Sequence, residues 1–261
     1  MEYIVENNEQ YWREVFSLHA DLYSFKKKVE EAKNVIDKFL QMGLKVYGSV
    51  SGGKDSTAML HLINSVNSDI TFMTEKDDMD FPNEREYIDT LVQKYNLEMD
   101  IISPSISLWE EVKNIEFTED IHSRGTSFSD RNFYGIIEQY KKIKGFEGVF
   151  LGLRTQESKG RKANFQKNGF IYHNKTSNDF ICQPIANFTA TDVFAYLVSN
   201  DIPILDVYFK TKFVGTPLKI RKSWVLPSAQ SSSGQALWLK YYYPEIFTKL
   251  CEINPLMRAY V

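Results

Sequence analysis

Apolar positions recur at helical spacing through residues 11–41, where Val29, Ala32, Val35, Ile36, Phe39 and Leu40 stand between lysines and glutamates, and Gly43 offers a stop. The period then changes. Residues 44–50 read Leu-Lys-Val-Tyr-Gly-Ser-Val, a short strand that leads into Gly52-Gly53. From about Asp55 the helical period returns, with Ala58, Met59, Leu62, Ile63 and Val66 on one face. The alternation continues with a strand over 70–73, a helix over 83–95 and a strand over 99–102. A helix over 130–144, closed by Lys141, Lys142 and Lys144, precedes a strand over 148–153. Thr189 and Asp192 form a capping-box pair that opens a helix running to about Ser199. Residues 155–179 are polar and predict a long loop or hairpin outside the sheet; residues 228–234 predict another loop, and 237–250 a strongly aromatic helix. Strands alternating with helices predict an α/β fold: a doubly wound, mostly parallel sheet with helices on both faces. The expected division is an N-terminal helical segment (1–42), an α/β domain (43–215) and a C-terminal helical extension packed on the same domain (216–261).

Composition narrows the classes. The chain has 261 residues, 43% hydrophobic and 25% charged, which suits a water-soluble globular protein. A net charge of -3 makes no global case for nucleic acid, although Lys159, Arg161, Lys162, Lys167 and Lys175 make one stretch basic. The two cysteines, Cys182 and Cys251, lie far apart with no metal-ligand spacing, which excludes a structural zinc or a four-cysteine iron–sulfur cluster supplied by this chain alone. Few cysteines and a polar, acidic start predict a cytoplasmic location with no membrane anchor. The aromatic helix near the C-terminus predicts core or a dimer interface. The acidic run Glu75, Asp77, Asp78 and Asp80 reads as a solvated loop ahead of a metal site.

The sharpest chemical signal is Ser49-Val50-Ser51-Gly52-Gly53-Lys54-Asp55-Ser56-Thr57, set between a strand and a helix. Two adjacent glycines let backbone N–H groups turn toward an anion, and the helix start adds its own donors and dipole. Ser51, Ser56 and Thr57 add hydroxyls, Lys54 a positive charge, and Asp55 a hard oxygen ligand suited to Mg²⁺ beside phosphates. The set suits a pyrophosphate group, without the spacing of a Walker A loop or a dinucleotide fingerprint.

This segment resembles the Ser-Gly-Gly-x-Asp-Ser signature of the PP-loop ATP pyrophosphatase superfamily. Asp80-Phe81-Pro82-Asn83-Glu84, Gly152-Leu153-Arg154-Thr155-Gln156-Glu157-Ser158 with Arg161, and Pro184-Ile185 with Thr189, Asp192 and Tyr196 resemble motifs of its phosphoadenylyl-sulfate reductase branch; Ile202-Pro203 and Tyr208 continue the match. That branch includes the ATP sulfurylase small subunit and the DNA phosphorothioation proteins. The resemblance implies an adenine nucleotide alpha hydrolase-like fold, ATP and Mg²⁺ as cofactors, and cleavage of ATP between its α and β phosphates with adenylyl transfer to an acceptor such as sulfate. It implies Lys54, Arg154 and Arg161 as catalytic residues, with Arg154 or Arg161 on phosphate or acceptor and Glu157 orienting one of them. It further implies nucleotide contacts from Ser49, Phe72, Thr74 and Gly152. Two motifs depart from the branch. Thr74-Glu75-Lys76 replaces Asp-Thr-Gly, and no Glu-Cys-Gly-x-His motif is found, so reductive chemistry on a cysteine is not expected. The alternatives are a non-catalytic nucleotide-binding subunit, with a homodimer or a partner protein, and a component of a nucleic-acid modification system.

Overall fold

A computed structural model describes residues 9–76, 78–103, 107, 109–110, 132–222, 234–253 and 255–261. Its six strands are β1 (Val46–Ser49), β2 (Thr71–Glu75), β3 (Met99–Ile102), β4 (Gly148–Leu151), β5 (Ile171–Asn174) and β6 (Asp179–Cys182), in the spatial order β3-β2-β1-β4-β6-β5. All neighbours pair parallel except β5, which runs antiparallel to β6 at one edge. The expected α/β class and mostly parallel sheet are therefore what the chain forms. From β1 the chain builds outward through β2 to β3, then crosses back to place β4 on the other side of β1. The switch point thus lies between β1 and β4, where Ser49 stands opposite Leu151, and open sheets of this kind bind ligands at such a crevice.

The described helices are α1 (Glu9–Ala20), α2 (Tyr23–Leu40), α3 (Lys54–Val66), α4 (Glu84–Tyr95), α5 (Asn132–Lys144), α6 (Lys159–Asn168), α7 (Ala190–Ser199), α8 (Gln235–Tyr242) and α9 (Pro244–Ile253). Three expectations are corrected. The single helix over 11–41 is two helices, because Leu22 is extended (φ −65°, ψ 133°) and turns the chain. The break lets α1 lay Phe16 on Phe194 of α7, ring centroids 4.7 Å apart, while α2 sends Phe39 under the sheet against Phe150. The aromatic helix over 237–250 is split at Tyr243, since Pro244 cannot continue a helix but can begin one. Residues 155–179 are not outside the sheet. They hold a short 3-10 turn, α6 and β5, and they lead into β6, so the hairpin extends the sheet by two strands.

One core of buried side chains runs from Phe16 in α1 through Ile36, Met59, Phe72 and Phe150 to Trp238, Leu250 and Met257. The N-terminal and C-terminal helices therefore share the core of the sheet. The loop expected over 228–234 lies outside the described residues, apart from Gly234. Among the described residues no helix is long and apolar enough to cross a membrane.

Candidate functional site

The turn between β1 and α3 is held by its own polar atoms. Gly52 takes φ +71°, and a Cβ there would meet Glu84 Oε1 at 3.3 Å, so the position favours glycine twice over. The Ser51 N–H donates to Ser56 Oγ (3.2 Å), Ser56 Oγ donates to the Gly53 carbonyl (3.0 Å), and the Lys54 N–H donates to the Tyr208 hydroxyl (3.0 Å). The first bond of α3 is Thr57 N–H to Gly53 carbonyl. The N–H groups of Gly53, Asp55 and Ser56 precede it and have no carbonyl within the helix to meet. Helix dipole and backbone donors thus converge at one point, the arrangement that binds anions. Gly152, at the end of β4, allows the sheet to approach this turn: a Cβ on it would lie 2.9 Å from Ser56 N and Cα.

Beneath the turn lies a buried ionic triad. Asp55 Oδ2 receives Lys54 Nζ at 2.8 Å, and Asp55 Oδ1 receives Arg154 Nε at 2.5 Å. Lys54 and Arg154 are each only 5% exposed. Burial pushes the Asp55 carboxyl up, but Lys54 and Arg154 outweigh it and hold it below its ordinary value. Burial, with Arg154 nearby, lowers the Lys54 ammonium despite its pairing with Asp55. Two cations on one carboxylate leave a net positive charge in a poorly solvated place, which an incoming anion would relieve.

A cleft of about 610 Å³ opens above this triad. Ser49, Ser51, Gly53, Lys54, Asp55 and Ser56 line one wall; Gly152, Glu157 and Arg161 line another. Glu157 Oε2 accepts from the Arg154 N–H (2.9 Å) and from the Arg161 guanidinium, so the acid orients Arg161. Arg154 itself is placed differently from expectation. It donates from Nε to Asp55 and from one terminal nitrogen to Gln156 Oε1 (3.1 Å), and it is not among the residues that line the cleft.

Three other expected contacts also lie behind the cleft. Thr57 is fully buried and its hydroxyl accepts from Tyr87 (3.0 Å). Phe72 is fully buried in the core, its ring filling the space that a side chain on Gly48 would need. Thr74 is buried near the end of β2. Asp55 does not fit a metal ligand as it stands, because each of its oxygens faces a cation. No group of three or more His, Cys, Asp or Glu side chains placed to hold a metal occurs among the described residues.

Tyr208, Glu84, Asp80 and Lys222 also line the cleft, and sequence reasoning gave them no role there. Glu84 had a legible signal. It stands on the stripe 84, 87, 88, 91 with Tyr87, Ile88 and Leu91, so an acid occupies a position that the helical period buries. Lys222 carries no such signal, because nothing local brings it to α4.

The phosphoadenosine phosphosulfate reductase domain matches residues 45–259, a span that takes in every element of this site. The chain belongs to that family. An uncharacterised protein of Methanocaldococcus jannaschii is 21% identical over 232 residues, covering 86% of this chain and 52% of the relative. The phosphoadenosine 5'-phosphosulfate reductase of Vibrio cholerae is 26% identical over 170 residues, 59% of either protein. The chain thus spans between half and three-fifths of the length of these relatives. Among solved structures, the phosphoadenylyl-sulfate reductase of Candida auris, a phosphate complex, gives a TM-score of 0.51 at 15% identity, over 75% of this chain and 88% of that one. The FMN adenylyltransferase of Candida glabrata, with FMN and an ATP analogue, gives 0.53 at 11% identity, over 76% and 67%. At such identities the likeness is one of fold. Neither cysteine lines this cleft: Cys182 is buried in β6, its thiol pushed up by that burial, and Cys251 is buried in α9.

Proposed function

We propose that the chain binds ATP through the turn between β1 and α3 and cleaves it between the α and β phosphates, as an adenylyltransferase or ATP pyrophosphatase. The observation that carries this reading is the net positive Lys54–Asp55–Arg154 triad beneath a glycine turn whose N–H donors face the same cleft. Pyrophosphate is the leaving group whose charge these donors would stabilise. An oxygen or nitrogen of the acceptor forms the new bond to the α phosphorus. The bond from that phosphorus to the bridging oxygen breaks, and its electron pair leaves with pyrophosphate. An acceptor that carries a proton on that atom, such as water, loses it to solvent; sulfate has none to lose. Lys54 and the turn hold the leaving group, Arg161 faces the incoming anion from the opposite wall, and Arg154 is a positioning residue that fixes Asp55 and, through it, Lys54. No step is assigned to Mg²⁺, given how Asp55 is held.

The test is pyrophosphate release from ATP, with and without sulfate as acceptor, for the intact protein, Lys54→Ala and Arg161→Ala. Loss of one well-placed donor to a developing charge costs about 100-fold or more in rate, so both variants should fall at least that far. ATP binding that depends on Lys54, with no release under any acceptor, would instead make the chain a nucleotide-binding subunit. Absence of ATP binding would sink the reading.

A further inference from the structure

The far wall of the cleft holds a second charged group outside the machinery described above. Glu84, in the first turn of α4, is 1% exposed, yet neither of its oxygens receives a well-directed hydrogen bond among the described residues. Its partner is the ammonium of Lys222, 2.5 Å from Oε1, with Asp80 3.6 Å from the same ammonium. That Oε1 is also the atom nearest the position a Cβ would take on Gly52. One carboxyl oxygen therefore lies between the glycine turn and a lysine that comes from the C-terminal part of the chain, and Gly53, Glu84 and Lys222 line one cleft.

We propose that Lys222 is a phosphate-binding residue of this cleft, held ready against the glycine turn by the buried carboxyl of Glu84 and passed from that carboxyl to the nucleotide's phosphates when they arrive. The proposal rests on the nucleotide reading above. An ammonium shared between two carboxylates is a cation already delivered to the site, and an oligophosphate outcompetes a carboxylate for it by charge. The consequence falls on Glu84. Burial, with Asp80 beside it, already lifts its carboxyl to about 7 against the pull of Lys222. Taking Lys222 away and placing phosphate next to the turn both disfavour the carboxylate, so Glu84 takes up a proton as the nucleotide binds. The groups that face Glu84 are Lys222 and Asp80, with the hydroxyls of Tyr87 on its own helix and Tyr208 across the cleft. The two phenols stay protonated, since burial raises both.

Calorimetric titration of the whole protein with ATP, and separately with inorganic pyrophosphate, tests this in buffers of different ionisation enthalpy between pH 7 and 9. The expected result for the wild type is proton uptake, with affinity falling as pH rises by up to about tenfold per unit, the limit for one linked proton. Glu84→Gln should keep its affinity at pH 8 or improve it, and should lose that part of the proton uptake and of the pH slope. Lys222→Gln should weaken both ligands by about tenfold or more, the loss of one charge-assisted contact. The double variant Glu84→Gln/Lys222→Gln leaves no unpaired charge behind and guards against misfolding; it should bind as weakly as Lys222→Gln. Binding by Lys222→Gln and the double variant that equals the wild type overturns the proposal and leaves the nucleotide reading intact. Wild-type protein that binds neither ligand overturns both.

Discussion

Gly152 shows how a single missing side chain shapes this site. The backbone of Ser56 occupies the space where its Cβ would stand, so β4 and the first turn of α3 can touch only because that position is glycine. Gly152→Ala should cost about 1–3 kcal/mol of stability, the usual toll of overpacking against backbone. It should also weaken ATP binding, because the clash displaces the donors that face the cleft. Urea midpoints and ATP titrations on the same preparation check both, and an unchanged affinity would mean the helix start is not part of the anion site. Tyr208→Phe isolates a subtler contact, the hydroxyl that accepts the Lys54 N–H. Its loss leaves a buried donor unsatisfied, which costs about 1–3 kcal/mol. At this scale the sequence was informative about the turn, because glycines, hydroxyls and Lys54 are adjacent in the chain. It did not tell that Arg154, Phe72, Thr57 and Thr74 would be buried. Motif resemblance names positions, and only the fold decides whether a side chain faces the cleft or the core.

Elements whose boundaries depend on local chemistry were legible; those that depend on packing were not. The start of α7 is the clearest case. Thr189 and Asp192 form the expected reciprocal cap, Thr189 Oγ1 accepting from Asp192 N–H (3.1 Å) and Asp192 Oδ2 accepting from Thr189 N–H (2.7 Å). The structure adds what spacing could not: Lys28 Nζ at 2.6 Å and His19 Nε2 at 2.8 Å tie α2 and α1 to the same carboxylate. Burial pushes Asp192 up, but Lys28, His19 and Thr189 outweigh it and lower the carboxyl to about 2. A depressed carboxyl contributes stability that is complete above its ordinary value near 3.8 and is lost as pH falls through about 2. Asp192→Asn should therefore be less stable than wild type by about 2 kcal/mol at pH 7. The gap should close as both proteins are taken from pH 4 toward pH 2. A gap that stays constant over that range would show that packing, not charge, is what the substitution removes. By contrast, α6 and the β5–β6 hairpin gave no periodic signal, since no residue of α6 is fully buried and β5 is a short edge strand.

Across the whole molecule, the helices at either end of the described chain share the core of the sheet. Phe16 of α1 stacks on Phe194, which in turn meets Tyr208 beside the anion turn, while Trp238 of α8 packs edge-on to Phe81 and donates its Nε1–H to the Lys210 carbonyl (2.6 Å). The expected division at residues 42 and 215 could be drawn from period alone, because both ends read as helical and the middle alternates. That long-range aromatic contacts weld the three parts could not, because each contact joins residues far apart in sequence. The physical consequence is cooperativity: segments that share buried side chains cannot unfold separately without exposing their neighbours' core. Phe16→Ala and Trp238→Ala should each cost about 3–5 kcal/mol, the range for truncating a buried aromatic. In both variants, as in the wild type, far-ultraviolet circular dichroism and tryptophan fluorescence should report one coincident urea transition. Because the four tryptophans (Trp12, Trp109, Trp224 and Trp238) are spread along the chain, separate fluorescence and dichroism midpoints would show that part of the fold melts on its own. If that part is α1, its truncation would leave ATP binding untouched, whereas loss of the C-terminal part would also remove Lys222 from the cleft.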